Sequence, residues 1–178
     1  ALFVSTGDRF VMRQEAQNPA NHIGKIIRIL PDGGIPDDNP KRDGWAPEVW
    51  SIGHRNAQGV TLDPATGELI TVEHGARGGD EVNRPQSGRN YGWPVITYGR
   101  DYSGAKIGIG TAKAGMEQPV HYWDPSIAPS SVAVYAGEAF PAWRGNLLVG
   151  ALAGERVARL ELDADGRVVH EEAMLSAL

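Results

Sequence analysis

The sequence predicts an all-β chain built from short strands in the loosely repeated four-strand units of a β-propeller. Three observations carry this. Twenty-three Gly and 12 Pro are scattered between short apolar runs, a pattern of strands joined by tight turns rather than of long helices. A sequence of turn, strand and polar loop recurs at irregular spacing, in residues 1–8, 62–75 and 143–152, as degenerate propeller blades do. Sustained 3.6-residue periodicity is missing, and only residues 111–118 suggest a turn of helix. A β-sandwich is the competing architecture.

Taken in order, Leu2-Phe3-Val4 reads as a strand leading into Ser5-Thr6-Gly7-Asp8. Residues 24–34 form a strand with charged side chains among the apolar ones, ending in a Pro-Asp-Gly turn, and residues 156–169 repeat that recipe around Asp163-Ala164-Asp165-Gly166. Both read as hairpins, because Asp-Gly supplies the positive φ that a tight turn needs. Strands are expected over residues 48–52, 68–72 and 132–135. Residues 84–113 form a long Gly-rich, aromatic loop with no regular element, the kind of loop that carries function or a bound ion.

Composition removes several classes of function. The net charge is −5 and the sequence shows no Lys/Arg cluster of the kind that displaces phosphate counterions, so nucleic acid is not an expected partner. No apolar run approaches the roughly 20 residues that span a bilayer. With no Cys, disulfides and thiolate metal sites are excluded. The sequence has no Gly-x-Ser-x-Gly elbow, phosphate loop or His-Glu-x-x-His.

Two constellations remain. Gly53-His54-Arg55-Asn56-Ala57-Gln58-Gly59 follows a strand directly and packs four hydrogen-bonding side chains between two glycines. An Arg fork beside an amide suits carboxylates and quinone or carbonyl oxygens; the plain alternative is a polar loop whose Arg pairs with a nearby acid. Glu73-His74-Gly75-Ala76-Arg77-Gly78-Gly79-Asp80-Glu81 also follows a strand. Its glycines let backbone carbonyls turn outward beside carboxylates, as hard cations require, although a Gly-rich turn rimmed by solvated charges has the same look. Asn90-Tyr91-Gly92-Trp93-Pro94 and Ser126-Ile127-Ala128-Pro129-Ser130-Ser131 complete the series.

In this order the motifs resemble the glucose/sorbosone dehydrogenase family, and in particular its bacterial PQQ-dependent aldose sugar dehydrogenases. The resemblance covers nearly the whole chain. It implies part of a six-bladed β-propeller, roughly its middle blades, with residues 1–178 truncated at both ends. It also implies PQQ- and Ca²⁺-dependent oxidation of aldoses at C1 to lactones, with a small-molecule sugar as substrate and electrons passed to an external acceptor. By this likeness Arg55, Asn56, Gln58 and Ser126 contact or border the cofactor. Gly75 and Ala76 hold Ca²⁺ through backbone carbonyls, and Glu81, Tyr91 and Asp101 belong to additional calcium sites. The catalytic His is expected upstream of Ala1 and a pair of arginines beyond Leu178, so this stretch alone is expected to be inactive. Ala153 stands where the family resemblance leads one to expect a Lys. A periplasmic or secreted protein, with a homodimer as one possible assembly, is implied as well. The alternatives are a non-catalytic propeller binding carbohydrate or protein, and a metal-dependent lactone hydrolase.

Overall fold

The computed structural model describes residues 1–176, and within them the chain forms a partial β-propeller. Eleven strands make three consecutive antiparallel sheets. The first holds β1 (Leu2–Thr6), β2 (Lys25–Ile29) and β3 (Val49–Ile52). The second holds β4 (Ala57–Leu62), β5 (Leu69–Glu73), β6 (Asp80–Asn83) and β7 (His121–Trp123). The third holds β8 (Pro129–Val134), β9 (Leu147–Ala151), β10 (Arg156–Leu162) and β11 (Val168–Met174). Each strand pairs with the next one in sequence, so every sheet is a meander. The leading strands lie side by side, β1 against β4 and β4 against β8, as the inner strands of successive blades do.

Between the second and third sheets lies the main apolar core, in which Ile70, Val72 and Val82 meet Val132, Leu147, Val149 and Leu160. Gly59 permits the close approach: a Cβ there would lie 2.7 Å from Val72 and 2.8 Å from the Ser131 backbone. β5 is buried at all five positions, because its sheet is covered on both faces.

The second Asp-Gly segment is a hairpin as expected, β10 returning as β11 with Gly166 at φ +77°. The first is not. After the turn at Gly33 (φ +86°) the chain runs on without a return strand, and β2 pairs with β1 and β3 instead. The expected helical turn at residues 111–118 is an irregular loop with one hydrogen-bonded turn, Met116 N–H to Lys113 C=O. Short 3₁₀ segments occur instead at Arg13–Gln17 and Pro141–Trp143, too brief to leave a periodic signal.

Lys25 departs most from its sequence reading as one of the charges that interrupt an apolar strand. It is fully buried. Its ammonium donates to the carbonyls of Glu15 (2.8 Å), Ala16 (3.1 Å) and Ile23, and so pins the first 3₁₀ segment to the start of β2.

Candidate functional site

Several of the polar residues singled out in the sequence, Arg55, Glu73 and Glu81 among them, gather at one end of the first two sheets, where β3 and β5 finish. Glu73, the last residue of β5, is the hub. Burial pushes its carboxyl up, but His54, the Arg55 N–H and Asn83 more than offset this and hold it below the usual range. Glu73 Oε2 accepts the Arg55 N–H at 2.7 Å, and Oε1 accepts from His54 Nδ1 at 3.1 Å and Asn83 Nδ2 at 2.9 Å. With Nδ1 donating, His54 Nε2 accepts the Ser51 hydroxyl at 2.8 Å.

Ser51, His54 and Glu73 therefore follow the hydroxyl–imidazole–carboxylate order of a hydrolase triad. Their exposures of 0%, 0% and 4% deny any substrate access to the hydroxyl. The chain of bonds orients; it does not attack. Spacing in sequence gave no sign of it, since Glu73 lies 19 residues beyond His54.

Arg55 is held by this hub and reaches outward. Its Nη1 donates to the His74 carbonyl at 2.9 Å and its Nη2 to the Tyr102 hydroxyl at 3.3 Å, while the guanidinium lies 5.4 Å from the Trp93 ring centroid. Its Nε is buried without a partner, a donor left over once the side chain is fixed. Arg55, Ala76 and Asp101 share the wall of a cavity of about 400 Å³ with Asp8, Trp93 and Tyr102. Asp8 is buried, accepting from Trp93 Nε1 (2.9 Å) and the Phe10 N–H (2.8 Å). In the sequence it stands only as the end of the Ser5-Thr6-Gly7-Asp8 motif.

Beneath Arg55 a smaller void of about 10 Å³, the size of one water or ion, is bordered by Gly75, Glu81, Tyr91 and Thr97. Burial first, then the neighbouring Glu73 and Asp80 carboxylates, push the Glu81 carboxyl up to about 8. The larger part is desolvation of the carboxylate and the lesser part repulsion between neighbouring acids, eased by the Asn83 amide. No three His, Cys, Asp or Glu side chains converge to hold a metal among the described residues. A cation here would depend on backbone oxygens in addition to Glu81, which suits Ca²⁺.

The remaining residues fall apart into groups. The Tyr91 hydroxyl donates to the Arg84 carbonyl and accepts the Gln86 N–H, and its ring stacks on His54 at 4.8 Å. Only its backbone oxygen remains to serve a cation. Asp101 pairs with Arg13 at 3.2 Å and accepts from Ser103, lining the larger cavity and not the one beside Glu81. Asn56 Oδ1 accepts from Gln58 Nε2 at 2.8 Å, making these two a local pair. Ser126 lines a separate, wider cavity of about 910 Å³ together with Ala153 and Arg156. Its link to the Gly75 turn runs through Asp80, which accepts from both Ser126 Oγ (2.6 Å) and the Gly75 N–H (2.8 Å).

The family described as Glucose / Sorbosone dehydrogenase matches residues 1–178. The Escherichia coli aldose sugar dehydrogenase YliI is 45% identical over 168 residues, covering 92% of this chain and 45% of that protein. The structure of the soluble aldose sugar dehydrogenase from Escherichia coli in its apo form superposes with a TM-score of 0.90 at 42% identity, over 97% of this chain and 50% of the other. The PQQ-bound aldose sugar dehydrogenase from Streptomyces coelicolor gives 0.76 at 30% identity, over 98% and 46%. The chain spans less than half the length of the curated relatives it matches.

Proposed function

Because this chain belongs to the glucose/sorbosone dehydrogenase family, we propose that it supplies a cofactor- and metal-holding part of a quinoprotein oxidising aldoses at C1. One observation carries the reading: Arg55 and the Gly75–Ala76 turn form a single rigid unit. Glu73 fixes the Arg55 backbone, and the Arg55 side chain in turn holds the carbonyl of His74, the residue before Gly75.

The chemistry that PQQ and Ca²⁺ supply when bound is acceptance of the hydride leaving C1 of the sugar, which becomes a lactone while electrons pass to an external acceptor. The donor set fits both groups. The unpartnered Arg55 Nε and its fixed fork suit quinone or carboxylate oxygens. The Gly75 and Ala76 carbonyls would hold Ca²⁺ beside the cofactor. Glu81, with the Tyr91 carbonyl, would hold a further Ca²⁺ that relieves its repulsion from Glu73 and Asp80. Asp101 joins a cation only by giving up Arg13. Asn56 and Gln58 would donate hydrogen bonds around the cofactor rim, which Ser126, its proton given to Asp80, would border as an acceptor. Arg55 would stabilise negative charge developing on the cofactor from a position fixed in advance. No residue of this chain is assigned as acceptor of the sugar hydroxyl proton.

The test is reconstitution of the whole protein with PQQ and Ca²⁺, followed by dye-coupled oxidation of aldoses. Activity that needs both additions and falls 10²- to 10³-fold in Arg55→Ala, the usual scale for a lost charge-stabilising donor, supports the reading. Inactivity on every aldose tried removes it. A non-catalytic, carbohydrate-binding propeller is the second reading, favoured by the bare methyl of Ala153 at the wide cavity. Calorimetry that finds sugar binding without PQQ binding selects it. A periplasmic or secreted location and a homodimer extend the first reading, and are checked by fractionation and sedimentation of the whole protein.

A further inference from the structure

We propose that Asp80 is the positioning residue that sets the Gly75–Ala76 carbonyl turn and locks it to the Ser126–Ala128 loop. The proposal rests on the reading that this turn holds Ca²⁺.

Asp80 is completely buried, and its two oxygens are shared unequally. Oδ1 accepts one bond, from the Gly75 N–H at 2.8 Å. Oδ2 accepts three, from Ser126 Oγ at 2.6 Å, the Ile127 N–H at 2.8 Å and the Ala128 N–H at 2.9 Å. A carboxylate that accepts four hydrogen bonds has little capacity left to ligate a cation directly. It acts through what it holds.

One such group is the peptide unit between His74 and Gly75. Its C=O accepts from Arg55 Nη1 and its N–H donates to Asp80, so this single peptide is clamped between a cation and an anion. Charge-assisted bonds at both ends are short and directional, and the next two carbonyls in the chain are those of Gly75 and Ala76. On the other side, Ala128 sits at φ +50°, a left-handed backbone few non-glycine residues adopt. From this bent loop the carbonyls of Ile127 and Ala128 accept the N–H groups of Ala153 and Leu152. One carboxylate thus joins the Gly75 turn to the Ser126–Ala128 loop, which in turn holds Leu152 and Ala153.

The unequal sharing gives the test. In Asp80→Asn the single amide oxygen takes the side with three donors, and the NH₂ is left facing the Gly75 N–H, donor against donor. The Ser126–Ala128 clamp survives while the metal turn is released. In the whole protein, amide exchange at Gly75 is expected to quicken at least tenfold while Ile127 and Ala128 stay protected. Calorimetric Ca²⁺ affinity, measured without sugar, falls about tenfold or more, and kcat drops with KM for the aldose changed less than threefold. If Asp80→Asn does not fold, Asp80→Glu keeps the charge, moves it by one methylene and carries the same Ca²⁺ measurement. Wild-type Ca²⁺ binding with unchanged affinity in the folded variant overturns the proposal alone. A wild type that binds no Ca²⁺ overturns the underlying reading, and the proposal with it.

Discussion

β5 runs through two interiors that obey different rules. Ile70 and Val72 sit among Val149, Leu147 and Leu160, held by contacts that have no direction and tolerate replacement by another side chain of similar volume. One residue further on, Glu73 is just as sealed from solvent but is held by His54, the Arg55 backbone and Asn83. There each group has a specific partner, and losing one leaves another buried and unpaired. The apolar interior supplies stability; the polar one fixes where Arg55 and the Gly75 turn point.

Single deletions in the two interiors should separate these roles. Glu73→Ala strips the hub from the polar cluster and is expected to cost about 3–5 kcal/mol, the scale for breaking a buried charged network. Chemical denaturation measures this, and a loss under 1 kcal/mol would merge the two interiors into one kind. Leu160→Ala is expected to cost about 3 kcal/mol through its cavity, yet to leave Ca²⁺ affinity within twofold of wild type; a larger change in affinity would break the distinction.

Per pH unit, a smaller effect is expected from titration of Glu81. Without Ca²⁺ the native Glu81 carboxyl keeps its proton up to about 8, whereas the unfolded chain releases it near the ordinary 4.5. Between those values the native state binds more protons, so stability falls as pH rises, by at most about 1.4 kcal/mol per pH unit. Melting temperatures across that window should show the slope. Glu81→Gln or saturating Ca²⁺ should flatten it. Smallest of all, Tyr102→Phe removes only the 3.3 Å bond to Arg55. PQQ affinity should then fall less than tenfold, about 1 kcal/mol, by fluorescence titration.

The polar end was legible where chemistry is concentrated along the chain. Gly53 to Gly59 places an Arg, a His and two amides between glycines at the end of a strand, and that is where the cavity wall forms. It was not legible where partners are far apart. The Asp80 bonds to Ser126, Ile127 and Ala128 span 46 to 48 residues, so Asp80 read as one more acid in a glycine-rich turn. The blade strands were readable from their apolar runs and Gly/Pro punctuation. The missing return strand after Gly33 was not, because an Asp-Gly turn specifies the bend and not what pairs beyond it.

Lys25 has a practical consequence. Of the four lysines in the sequence, Lys41, Lys106 and Lys113 are exposed, while the Lys25 amine faces three carbonyls with no path for a reagent. Amine-selective acylation of the folded chain should therefore modify three lysines and spare the fourth. Lys25 should become reactive only when the first sheet opens, which makes it a site-specific clock for that event, readable by mass spectrometry without any engineered label.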